Sequence, residues 1–263
     1  MALGASVVLL LVLVAAFAPA LVPHAPNVRD TSRMLVSPDS QNYFGTDHYG
    51  RDVLSRVVAG ARISMIVGLS VMLIGGIAGT IVGLVAGYVP WTDNLLMRIV
   101  DVLMAFPSFL LALGIVALLG QRLSNVIIAL AVMSIPGVAR VVRGVTLQTK
   151  EMQYVEAARA TGSNDIRILG RHILPNCIAA LTVQLTIVFA TAVLAEASLS
   201  FIGAGVPPDV PSWGIILSEG RNYLQTGPWI ALFGGIAITI TVLAINLFGD
   251  GLRDVTDPRL RHR

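Results

Sequence analysis

The side chains able to carry acid–base, nucleophilic or metal chemistry are few and scattered. His24, His48, His172 and His262 stand far apart, Cys177 is the single cysteine and Lys150 the single lysine. These residues lack the close spacing by which protein ligands hold a metal ion. There is no G-x-x-x-x-G-K-[ST] phosphate loop, no H-E-x-x-H and no G-x-S-x-G, so the familiar phosphate, zinc and serine-nucleophile chemistries have no starting point. One cysteine cannot close an internal disulfide. The sequence therefore offers no catalytic residue, no cofactor-binding set and no metal site. If the chain moves a solute, the energy has to come from another subunit.

Composition says where such a chain resides. Of 263 residues, 55% are hydrophobic and 13% charged, against about 25% charged in a typical soluble protein. The mean hydropathy is +0.79. A water-facing surface cannot be built from so few charges, and disordered chains are apolar-poor, not apolar-rich. The expected class is an all-α polytopic membrane protein. The net charge of +3 comes from 17 arginines and one lysine spread along the chain, without the basic, aromatic-interleaved runs that bind nucleic acid.

Charge-free runs near the roughly 20 residues that cross a bilayer occur six times: 2–22, 63–92, 102–121, 123–139, 176–195 and 222–249. They are continuously apolar and do not alternate, which favours helices over a barrel. The resulting division is a first transmembrane helix at 1–22, an extracytoplasmic loop at 23–62 and a five-helix core at 63–249. A cytoplasmic loop at 140–176 lies inside that core, and a cytoplasmic tail follows at 250–263. Ala16-Phe17-Ala18 and Ala18-Pro19-Ala20 resemble leader-cleavage sites, but no basic residue precedes the first apolar run, so a retained helix is preferred to a cleaved leader. With both termini cytoplasmic, 11 basic residues fall inside and 7 outside, the sense of the positive-inside rule.

Within the runs two features stand out. Gly75, Gly79, Gly83 and Gly87 repeat every four residues and so share one helix face, where another helix can approach closely. Ionisable groups are nearly absent at depth: Asp101 and Glu196 fall at run ends. Ion-coupled carriers place such groups mid-membrane, so a self-sufficient carrier or channel is the weaker alternative.

The segment from Arg140 to Asn176 carries more pattern than a connector needs. Residues 152–161 read as a short helix containing Glu156, Ala157, Ala158 and Arg159, ended by Gly162. Ser163 or Asn164 can cap a second helix with Asp165 in its first turn. There Ile166, Leu169 and Ile173 form an apolar stripe and Arg167 and Arg171 a charged one, and Pro175 leads by a bend into the next span. Two short helices meeting at a glycine make a rigid knob, either a cover on the lipid surface or a docking surface for a cytoplasmic partner.

Glu156-Ala157-Ala158, three residues, Gly162, nine residues, then His172-Ile173-Leu174-Pro175 resembles the "EAA" loop of binding-protein-dependent ABC importer permeases, with His172 where the general pattern has isoleucine. The stretch from Gly45 to Arg56 with Gly60-Ala61-Arg62 is similar to the segment before the second span of dipeptide and oligopeptide "C"-type permeases. Residues 246–254 with Asp257-Pro258 resemble their carboxyl-terminal signature. The resemblance implies a type I importer permease fold in a bacterial inner membrane and a non-catalytic subunit forming half of a peptide pathway. The implied partners are a second homologous permease, two ATPase subunits that bind the ATP, and an extracytoplasmic substrate-binding protein. It further implies that Glu156, Ala157, Ala158, Arg159, Gly162, Arg167, Arg171 and Pro175 meet the ATPase. Nickel chelates, glutathione and haem are alternative cargoes. Residues 43–62 are expected to form an interfacial helix with surface ion pairs among Asp47, Arg51, Asp52 and Arg56. An outer loop is expected at 196–221, with Trp213 and Trp229 as interface anchors.

Overall fold

The computed structural model describes residues 2–256; Asp257-Pro258 and His262 lie outside them. Among the described residues every regular element is helical. In chain order these are α1 (Ala2–Ala16), α2 (Ala18–Leu21), α3 (Val53–Tyr88), α4 (Pro90–Ala105), α5 (Ser108–Leu119) and α6 (Leu123–Thr149). They continue with α7 (Gln153–Ala160), α8 (Asp165–Ile168), α9 (Leu174–Phe201), α10 (Trp213–Gly220) and α11 (Pro228–Thr256).

Helix α3 is a single rod of 36 residues, about 54 Å at 1.5 Å per residue and far longer than the bilayer core requires. Asp52 caps it by accepting from the Ser55 amide at 2.8 Å. Val89-Pro90 ends it: Val89 is extended (φ −101°, ψ 106°), as a residue before proline prefers, and Pro90 opens α4 where its missing N–H costs nothing. The expected interfacial helix is therefore the first part of this rod, since nothing between Arg56 and Ile63 breaks a helix and Gly60 is tolerated within it.

Four helical stretches are long and apolar enough to cross a membrane: Val53–Tyr88, Leu123–Thr149, Asp165–Phe201 and Pro228–Arg253. Where a straight span over 102–121 is expected, α4 and α5 meet at 91°. Pro107 has no N–H to continue the ladder and its ring obstructs the preceding turn, while Phe106 is forced extended (φ −86°, ψ 140°). The six expected runs thus become four full spans, one broken pair and the short apolar helix α1.

Two loop boundaries also move. Helix α6 runs through Arg140 to Thr149 because its arginines are neutralised from α4: Arg140 donates to Asp101 at 2.5 Å, and Arg143 grips Asp93 with two bonds of 2.6 and 2.7 Å. Glu196 lies inside α9 and not at the start of a loop. It is fully buried and accepts from the hydroxyls of Ser200 (2.7 Å) and Ser64 (3.4 Å).

The core is organised on α3. Its glycine face lies against α6, with α9 packed on both; α11 lies on α9 and α1, and α10 is held between α9 and α11. A Cβ on Gly83 would come 2.5 Å from the Ala139 carbonyl oxygen, on Gly79 2.9 Å from that of Ile135, and on Gly75 and Gly87 3.1 Å from those of Ala131 and Arg143. At each of the four positions the facing backbone of α6 occupies the space a side chain would need.

Candidate functional site

The residues singled out between Glu156 and Pro175 come together at one end of the bundle. Helix α7 ends in a closed turn: the Ser163 amide donates to the Ala158 carbonyl and the Gly162 amide to that of Arg159, both at 3.0 Å. These are the two bonds of a Schellman ending, which places its glycine in the left-handed region. Gly162 has φ +82° and nothing within 4 Å of where a Cβ would be. Conformation, not space, calls for glycine here. Asn164 then caps α8, its side-chain oxygen accepting from the Arg167 amide at 2.9 Å.

The expected bend at Pro175 is not a break. From Asp165 to Phe201 the chain is one helical stretch containing a widened π turn over Leu169–Ile173. The apolar stripe shifts accordingly: Ile168 and Ile173 are buried five residues apart, the period of that turn, whereas Ile166 is 82% exposed. Buried Ile168, Ile173 and Val155 join Val142 in the core, with Tyr88 and Leu84 packed alongside. Glu156, Ala157, Arg159, Gly162, Arg167, Arg171 and Pro175 are exposed and Ala158 is half-buried. The knob thus stands on three apolar feet and turns its charges outward.

Two fastenings carry no signature in the motif. Tyr154 of α7 receives a hydrogen bond at 3.1 Å from Asn176 and pairs its ring with that of His172, centroids 6.2 Å apart. His172, where the general pattern has isoleucine, therefore has a ring partner. On the other side the Tyr88 hydroxyl donates to Asp165 at 2.6 Å and lies 3.5 Å from the Arg159 guanidinium. That contact holds the Arg159 guanidinium above its usual pKa.

The opposite end is built differently. Asp47, Arg51 and Arg56 form a buried network instead of the expected surface pairs. Asp47 accepts from Arg51 at 2.6 Å and from Arg56 at 2.8 Å, and Glu219 accepts from Arg51 at 2.9 Å and also from Arg56. Asp52 serves as the α3 cap and accepts from Asn42 at 2.8 Å. His48 stacks on Tyr223 at 4.8 Å, and burial depresses its pKa, with the Asp47 carboxylate pulling the other way. Asp47, His48 and Glu219 place potential ligand atoms within 4.8 Å of one another. Two guanidinium groups already occupy these carboxylates, so the cluster is charge-balanced and offers no net attraction to a cation. Trp213 and Trp229 bind backbone carbonyls, of Val57 at 2.9 Å and Thr46 at 3.0 Å. They fasten the 45–57 segment, where lipid-interface anchors are expected.

Between these ends, α3, α5, α6 and α9 line an open pocket of about 440 Å³. Its polar lining consists of hydroxyls, Ser108, Ser134, Thr191 and Ser198, and none of its lining residues is charged.

Comparison with known proteins accounts for this arrangement. A family model described as the binding-protein-dependent transport system inner membrane component matches residues 75–262. A relative in Brucella suis biovar 1 with the provisional name peptide transport system permease protein is 51% identical over 259 residues, covering 98% of this chain and 88% of the relative. The glutathione transport system permease protein GsiD of Escherichia coli O6:K15:H31 is 47% identical over 256 residues, covering 97% and 84%. Among solved structures, an inward-facing form of the MetNI methionine ABC transporter is similar over 78% of this chain and 96% of that one, with a TM-score of 0.59 at 22% identity; this likeness establishes the fold. The chain belongs to the family of inner-membrane components of binding-protein-dependent transport systems, as a multi-pass permease.

Proposed function

We propose that this chain forms half of the translocation pathway of an ATP-driven importer of di- or oligopeptides. In this reading the 150–176 end is cytoplasmic and received by an ATPase subunit, both termini are cytoplasmic, and the Asp47–Glu219 end faces the substrate-binding protein. A second homologous permease supplies the other half of the path, and ATP is bound and hydrolysed by two partner subunits. The observation that carries the proposal is the knob itself. Val155, Ile168 and Ile173 are buried while Glu156, Arg159, Arg167, Arg171 and Ile166 are left exposed around the Gly162 turn. A docking surface turns an apolar side chain out beside charges, as protein interfaces combine apolar and arginine contacts.

The peptide assignment rests on the relatives' names, and both named cargoes, peptide and glutathione, carry peptide bonds. The uncharged, hydroxyl-lined pocket suits cargo chosen elsewhere, by a binding protein, because it holds no charge to fix a terminus. The test has two stages. Affinity purification of the tagged chain in mild detergent, read by mass spectrometry, is expected to recover a second permease and ATPase subunits. Vesicles containing that assembly and its binding protein are expected to accumulate labelled peptide only with ATP. Recovery of the chain alone, or peptide entry independent of ATP, contradicts the proposal.

A further inference from the structure

Helix α3 reaches from the Gly162 knob to the Asp47–Glu219 network. At its beginning Arg56 is buried against Asp47 and Glu219. At its last turn three separate pieces of the knob region hold it. The Lys150 ammonium, just past α6, donates to the Gly87 carbonyl at 3.0 Å. Arg159, in the last turn of α7, lies 3.5 Å from the Tyr88 hydroxyl with its guanidinium 5.8 Å from the ring centre. Asp165, in the first turn of α8, accepts from that hydroxyl at 2.6 Å. Arg159 and Asp165 flank Gly162, so one phenol spans the turn on both sides.

Resting on the importer reading above, we propose that Tyr88 is the positioning residue through which displacement of the 153–165 knob is passed to α3, and along α3 to the outer network. A push on the knob reaches α9 through the continuous Asp165–Phe201 stretch and the buried Val155, Ile168 and Ile173. The short, charge-assisted Tyr88–Asp165 bond is what ties the Gly162 turn directly to α3. Beyond it runs a helix with no proline inside it. The α3 glycine face allows this rod and α6 to stay in backbone contact while they shift together. At the far end Arg56 engages Glu219 of α10, so a displacement of α3 is felt at the outer loop as well.

The proposal is tested in the purified complex with its partner subunits, reconstituted in vesicles, with peptide uptake and ATP hydrolysis measured in the same sample. Tyr88→Phe keeps the ring under Arg159 and removes only the hydroxyl. ATPase subunits are expected to copurify and hydrolyse ATP as in wild type, while peptide delivered per ATP falls about fivefold, the effect of a coupling mutation of ordinary size. Asp165→Ala, at an exposed position, is expected to give the same fall, and the double variant no further fall because the two groups act as one unit. Wild-type delivery per ATP in Tyr88→Phe, loss of the ATPase subunits from that variant, or a compounded fall in the double variant would overturn the assignment. A wild-type complex without ATP-driven uptake overturns the importer reading and this proposal together, which separates the two failures.

Discussion

The two ends of the α3 rod treat charge in opposite ways. At one end Asp47, Arg51 and Arg56 are almost wholly buried and engage each other and Glu219 of a distant helix. At the other end Glu156, Arg159, Arg167 and Arg171 are exposed around a turn whose apolar residues alone face inward. Charges buried in mutual contact fix a geometry and leave little to offer a partner. Exposed charges set on a rigid turn contribute little to the fold and leave a surface to be met. The contrast separates the part of the chain that holds itself together from the part that, in the proposed reading, is completed by another subunit.

The largest expected effect comes from breaking the buried end. Arg56→Met leaves Asp47 and Glu219 short of a cation and is expected to cost about 3–5 kcal/mol, the scale for removing one partner of a buried pair. Thermal unfolding in detergent, followed by size-exclusion profiles, measures it. Next is the rod's contact with α6. Gly83→Leu, whose Cβ begins 2.5 Å from the Ala139 carbonyl oxygen, is expected to cost about 1–3 kcal/mol by overpacking. Gly144→Ala on α6, with nothing within 4 Å, is expected to be neutral or slightly stabilising. Equal melting shifts for both would show that the glycine face is not what positions α3.

A smaller effect concerns acid. Burial holds the folded-state pKa of His48 below its ordinary 6.5. The unfolded chain therefore takes up the proton first as pH falls, and stability declines from about pH 6.5 downward. His48→Gln is expected to flatten that decline in melting curves taken between pH 7 and pH 5. The smallest effect on stability belongs to the open end. Arg167→Ala with Arg171→Ala is expected to change stability by less than about 0.5 kcal/mol while reducing the ATPase subunits recovered with the tagged chain. A large melting shift in that pair would erase the distinction between the ends.

Local signals made the open end legible. The Glu156–Ala160 helix formers, the Gly162 stop and the Asn164 cap act within a few residues of one another, and the structure follows them. The four-residue glycine repeat likewise identified a face, though not that α6 would fill it. What could not be read was long-range. Arg56 and Glu219 lie 163 positions apart, so their pairing follows from the packing of α10 on the bundle and not from local pattern. Tyr88 lies within the 63–92 run and carries no local sign that Asp165 meets it. The 91° turn at Pro107 has its local signal in that proline, but the apolar composition of 102–121 equally fits a straight span. As a charge, Glu196 marks a loop boundary in the sequence; the hydroxyls of Ser64 and Ser200 make its interior position tolerable.

The most direct test of the account is site-specific cross-linking in the assembled complex. In a Cys177→Ala background, a short bifunctional reagent is applied to Ile166→Cys, at the tip of the open end, and separately to Tyr49→Cys, at the exposed edge of the buried network. The account predicts that the Ile166 position is captured by an ATPase subunit and the Tyr49 position is not. Capture of the ATPase from Tyr49, or its absence at Ile166 in a complex that still contains it, would contradict the account.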